Sequence, residues 1–107
     1  MSNIIEITEE AGLVRPMERH DQAVVAGLMA RARARDPLAP DPAILAEPGL
    51  SAFVAERFGY VVGYALVGQE IAQRYVMEGS RGLGLGAKLD VAAQNARVMP
   101  TSTLIRW

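Results

Sequence analysis

The sequence of 107 residues contains no cysteine. Disulfides, thiolate nucleophiles and zinc–thiolate centres are therefore excluded. Its one histidine, His20, cannot build a metal site by itself, so no metal is expected. No apolar run approaches the ~18 residues of a membrane span. The first residues, Met1 to Glu10, are acidic and polar, the opposite of a secretory leader. A cytoplasmic setting without a membrane partner is the expectation. Neither charge dominates: 11 Lys and Arg stand against 12 Asp and Glu, a formal net charge of −1. That balance gives no general pull toward nucleic acid. Internal repeats and low-complexity tracts are absent from the sequence.

What is present suits one globular domain. Half of the residues are hydrophobic and 21% are charged, and the length fits a single core. Residues 1–11 read as a lead-in and 12–107 as one domain. Leu13-Val14-Arg15 reads as a short strand ended by Pro16. From Glu18 to Arg35, Val24, Val25, Leu28, Met29 and Ala32 form one helical stripe, and Arg31, Arg33 and Arg35 crowd its solvated end. Pro37, Pro40 and Pro42 break the chain, and Pro42 opens a short helix through Ile44 and Leu45. Ser51–Phe58 and Tyr60–Val67 read as a hairpin turning at Gly59, and Glu70–Met77 as a further strand. Tyr64 and Tyr75 are expected as packed strand aromatics, and His20 as a surface residue.

Four glycines fall between Glu78 and Gly86, ahead of a helix with Leu85, Leu89, Ala92, Ala93 and Ala96 on one face. Pro100 ends that section, and Thr101–Trp107 reads as a last strand. A strand that enters a helix through glycines leaves backbone N–H groups free at the helix start, a site suited to phosphate. A Walker A loop fails here because Gly86 is followed by Ala87-Lys88-Leu89. The dinucleotide fingerprint matches at Gly82, Gly84 and Ala87. However, it comes late in the chain and lacks the acid expected about 20 residues on.

The run Arg81-Gly82-Leu83-Gly84-Leu85-Gly86 also resembles the Arg/Gln-x-x-Gly-x-Gly/Ala loop of the GNAT N-acetyltransferases, matching at Arg81, Gly84 and Gly86. The element order β-α-α-β-β-β-α-β resembles the first part of that family's α/β (α+β) mixed sheet, over residues 13–107. Leu13-Val14-Arg15-Pro16 resembles its first strand, and Phe53–Glu56 with Val61–Ala65 its central hairpin. The resemblance implies that acetyl-CoA lies with its pyrophosphate on the amides of Arg81, Gly82, Leu83, Gly84, Leu85 and Gly86. Its pantetheine arm would run between two splayed parallel strands, here 69–77 and 102–107. The Val76 amide would meet the acetyl carbonyl and stabilise the developing oxyanion. An amine acceptor, which the sequence does not name, would attack the thioester directly. Glu70 lies six residues before Val76, where some family members carry a general base acting through water. Taken alone, Glu70 is a solvated acid in the turn that opens its strand.

The chain ends where the family continues with a C-terminal α-β-β, which supplies a general-acid tyrosine and covers the cleft. Two readings follow: an active N-acetyltransferase, or a catalytically degenerate GNAT-like module in a larger assembly such as a phage particle. The last strand, 102–107, would have an uncovered edge carrying Leu104, Ile105 and Trp107. A second copy or another protein is expected along it, with residues 1–11 as the other cover.

Overall fold

The computed structural model of the chain describes residues 12–68 and 71–97. β-branched and aromatic residues favour the four strands found among the described residues, in the order β1 (Leu13–Pro16), β2 (Ser51–Arg57), β3 (Tyr60–Val67) and β4 (Ala72–Val76). Each pairs antiparallel with the next, so chain order is also spatial order. The parallel partner of β4 expected at 102–107 lies outside the described residues, as does the edge built on Trp107.

Two helices cover the sheet, one on each face. Helix α1 (Gln22–Arg35) packs Val25, Leu28 and Met29 against Val54, Tyr64 and Leu66. Helix α2 (Leu85–Arg97) packs Leu85 and Leu89 against Ala55, Ala65 and Val76 on the other face. Burying each large side chain contributes roughly 1.5–3 kcal/mol, enough for each helix to be held by two or three of them. β3 carries one extra residue where Ala55 pairs with Gly63 and Glu56 pairs with Val61. Val61 therefore joins the α1 side and Val62 the α2 side.

The structure corrects several expected boundaries. The helix expected from Glu18 starts with a 3₁₀ turn, Arg19–Asp21, and becomes α-helical at Gln22. The reason is Asp21, whose carboxylate folds back onto the Glu18 amide at 2.7 Å and accepts a two-pronged Arg15 at 2.7 and 3.1 Å. Arg15 also bonds Glu56 at 2.9 Å, so this network ties β1, β2 and the helix entry together. Val24 was expected in the buried stripe and is 47% exposed, because Val25, Leu28, Met29 and Ala32 already fill that face. The segment after Pro42 is a 3₁₀ turn, Pro42–Ala46, held by Asp41 Oδ1 accepting from the Ala43 amide at 2.8 Å. The strand expected over 70–77 spans Ala72–Val76 among the described residues. The arginines ending α1 stay at the surface, where Arg33 pairs with Asp41 and Arg35 with Glu78.

Candidate functional site

The site grows from the outer edge of β4. Gly68 N–H donates to the Ile71 carbonyl, and Met77 N–H donates to the Val62 carbonyl, both at 2.9 Å. Residues 71, 73, 75 and 77 therefore turn their backbone groups toward β3. Backbone direction alternates along a strand, so the N–H and C=O of Ala72, Arg74 and Val76 point the other way. Among the described residues β4 is the last strand, and this edge has no strand partner.

The chain leaves β4 through a 3₁₀ turn, Glu78–Ser80, and then reverses at two glycines with φ of +84° (Gly82) and +82° (Gly84). L-residues avoid that region, and the two glycines allow the sharp entry into α2. The helix starts at Leu85, the first apolar residue of its expected face, because Gly84 completes the reversal and its carbonyl accepts from Lys88 N–H at 3.1 Å. Leu85 and Gly86 thus belong to the first helical turn. No acceptor among the described residues takes the N–H groups of residues 82–87. Nothing lies within 4 Å of the position where a Cβ on Gly82 or Gly84 would stand. Free amides, open space above them and the positive end of a 13-residue helix together make an anion cradle.

Side chains hold the cradle against the strand. Arg81 Nε donates to the Val76 carbonyl at 2.7 Å, with its guanidinium 5.6 Å from the Tyr75 ring centre. Arg57 donates to the buried Ser80 hydroxyl at 3.2 Å. Leu85 is buried in the core and fixes the loop's far end. Arg74 Nη1 bonds Asp90 Oδ2 at 2.7 Å and crosses the first turn of α2, 3.1 Å from where a Cβ on Gly86 would stand. A cavity of about 310 Å³ opens here, lined by β4 from Arg74 to Val76 and by Ser80, Arg81, Gly82, Leu85 and Gly86. Among the described residues two arginines and no acid line it, which suits an anionic ligand.

Val76, Arg81, Gly82, Leu85 and Gly86 all line this cavity, and Gly84 lies in the turn between them. The Leu83 side chain is exposed and does not line the cavity. Glu70 lies outside the described residues. A second, larger cavity of about 1010 Å³ lies beside the start of β4, lined in part by Gly68, Ile71, Ala72 and Gln73. Arg74 and Asp90 were missed. They are 16 residues apart, and no spacing in the sequence announces their pairing. Tyr64 is fully buried under α1, and burial pushes its hydroxyl up to about 12, opposed by hydrogen bonding with the Gln73 side chain. Glu18, His20 and Asp21 bring three ligand-type atoms within 4.8 Å of one another. The Asp21 oxygens already accept from Arg15 and from the Glu18 amide, so this cluster serves the helix entry.

No family model and no curated protein matches the chain. Solved structures do. The ribosomal-protein-alanine N-acetyltransferase from Brucella melitensis biovar Abortus 2308 superposes with a TM-score of 0.69 at 20% identity, over 90% of this chain and 79% of that one. A possible acetyltransferase from Clostridium difficile 630 gives 0.64 at 16% identity, over 88% and 76%. AAC(6')-Iy, solved with the bisubstrate analogue CoA-S-monomethyl-acetylneamine, gives 0.62 at 21% identity, over 79% and 70%. The strand-hairpin-strand order, the glycine turn into α2 and these superpositions together show that the chain has the fold of the GNAT N-acetyltransferases.

Proposed function

We propose that the chain binds acetyl-CoA along the β4 edge and transfers its acetyl group to an amine. The observation that carries this reading is a pair of backbone surfaces without partners among the described residues: the outward amides of β4 and the amides of residues 82–87. The two join at the cavity floored by Val76. Acetyl-CoA supplies an acetyl thioester at the end of a long amide-bearing arm, with phosphates at the other end. The amides of Gly82, Leu83, Gly84, Leu85 and Gly86, with that of Ala87, hold the phosphates, and Arg81 and Arg74 supply positive charge beside them. The Val76 N–H, on the outward side of β4, receives the acetyl carbonyl and stabilises negative charge as it develops there. Arg81 keeps that part of the strand in place through the Val76 carbonyl.

The incoming amine must be neutral to attack, and Glu70 is assigned to remove its proton through water. Attack on the thioester carbon expels the thiolate directly. The chain contains no cysteine, and this route needs no covalent intermediate on the protein.

Isothermal titration with acetyl-CoA tests the reading. Wild type is expected to bind and Gly84→Asp to lose binding, since the aspartate adds bulk and negative charge where phosphate must sit. Absence of both heat and a melting shift at millimolar acetyl-CoA would refute it. Binding without thiol release toward any amine would instead favour a degenerate module.

A further inference from the structure

We propose that Asp90, which does not itself line the smaller cavity, is a positioning residue for the phosphate end of the acyl donor. It holds the Arg74 guanidinium over the first turn of α2, as the second cation of the anion cradle beside Arg81. The inference rests on the acetyl-CoA reading and deepens it.

Arg74 stands where an apolar residue is expected. It pairs with Ala65 across the sheet, so its side chain shares a face with Ala65 and Val76, which pack against α2. The guanidinium meets that helix at Gly86. A Cβ on Gly86 would stand 3.1, 3.5 and 3.9 Å from Arg74 Nη1, Cζ and Nε. The planar group therefore lies along the turn whose amides form the cradle, and glycine leaves the room for it. Arg74 and Arg81 both line the smaller cavity, one from the strand and one from the loop.

Asp90 fixes this placement. It follows Gly86 by four residues and so stands on the same face of α2, one turn on. Its Oδ2 accepts from Arg74 Nη1 at 2.7 Å. No acceptor among the described residues takes Arg74 Nη2 or Nε, so those donors remain for a phosphate. The pair is more covered than the two on α1: the Asp90 side chain is 29% exposed, against 68% for Asp41 and 69% for Glu78. Yet Asp90 Oδ1 is buried with no hydrogen-bond partner among the described residues. A covered carboxylate with one oxygen unsatisfied is a poor stabilising device. What it does achieve is to hold a long side chain in one place. Ordering Arg74 before the ligand arrives removes a cost that would otherwise be met on binding. The Asp90 charge opposes the phosphates, but it acts from outside the cavity lining, and salt at about 0.15 M screens exposed charges beyond about 8 Å. Placement outweighs repulsion.

Titration calorimetry with acetyl-CoA on the whole chain tests this, in a cycle of Arg74→Ala, Asp90→Ala and the double variant. Arg74→Ala is expected to weaken binding about tenfold. Asp90→Ala is expected to weaken it roughly three- to fivefold, the scale of ordering one long side chain. With Arg74 already replaced, Asp90→Ala should make no further difference, because Asp90 acts only through Arg74. Asp90→Asn keeps an oxygen acceptor and should bind within about twofold of wild type. Melting temperatures check that every variant folds. An equal loss from Asp90→Ala with and without Arg74, no loss at all, or tighter binding would each overturn the proposal and leave the acetyl-CoA reading standing. A wild-type chain that binds no acetyl-CoA would overturn both.

Discussion

Arg81 reaches back five residues to Val76 and donates Nε–H to its carbonyl at 2.7 Å, while its guanidinium lies beside the Tyr75 ring. The first residue of the glycine run is thus a brace between loop and strand as well as a positive charge. Arg81→Ala should weaken acetyl-CoA binding about tenfold, or about 1.4 kcal/mol. Arg81→Lys should recover little of it, because a lysine keeps the charge but lacks the planar fork. Calorimetry on the two variants checks this; full recovery in the lysine variant would reduce Arg81 to a charge.

The glycines at 84 and 86 are required for different reasons. Gly84 has φ of +82° with open space around it, so Gly84→Ala should cost about 1–2 kcal/mol from backbone strain. Gly86 lies in the first turn of α2, and a methyl there meets only the tip of the Arg74 side chain. Gly86→Ala should stay within about 1 kcal/mol of wild type, since alanine favours the helix while Arg74 moves aside. Denaturant unfolding of both variants, and of Gly86→Ala combined with Arg74→Ala, separates the two effects. Coupling should appear only between positions 74 and 86.

Asp21 is 3% exposed, and its carboxyl is held down to about 2 from an ordinary 3.8, first by the Arg15 hydrogen bonds and against the effect of burial. The folded state thus prefers the charged form. Its stabilisation is complete above about pH 4 and disappears as pH falls toward 2. The ceiling is about 2 kcal/mol, because Arg15 keeps a quarter of its side-chain surface in water. Asp21→Asn should be less stable than wild type at neutral pH, and the gap should close near pH 2. A gap independent of pH would mean that packing, not charge, sets the cost.

Tyr64 buries a hydroxyl that makes no hydrogen bond of good geometry, although the Gln73 side chain acts on it. Tyr64→Phe removes it with little change in shape, and should leave the fold unchanged or stabilise it by up to about 1 kcal/mol. A loss of more than that in chemical unfolding would show that the hydroxyl is bonded in solution.

If the chain turns over, Glu70→Gln should lower kcat by roughly 10²–10⁴-fold with acetyl-CoA affinity preserved. The pH–rate profile is the sharper reading. Should wild type and variant share the same acidic limb, Glu70 is not the base.

Runs rich in β-formers exposed β2 and β3, and the glycine spacing located the loop, because both signals lie within short windows. Helix α1 was legible as an element but not at its start, where Arg15, Asp21 and Glu56 meet from three separate segments. The larger cavity had no signal at all. Its walls come from residues 36–50 and 68–73, and only the sheet brings them together. Arg74 read as one more strand residue, since its meaning depends on Asp90, a turn and a half into α2.

The extra residue on β3 insulates one end of the hairpin from the other. Beyond it lie Phe58, Gly59 and Tyr60, an exposed tip with a left-handed Phe58-Gly59 turn. On the near side, Tyr64 pairs with Tyr75 and sets the alignment of β4. A strand without such an irregularity transmits a one-residue slip along its whole length, exchanging inside for outside. Here a slip that begins at the tip can be absorbed at Val62 before it reaches Tyr64. The tip is therefore the place where this chain can accept insertions, tags or recombination while the alignment of its working strand stays as it is.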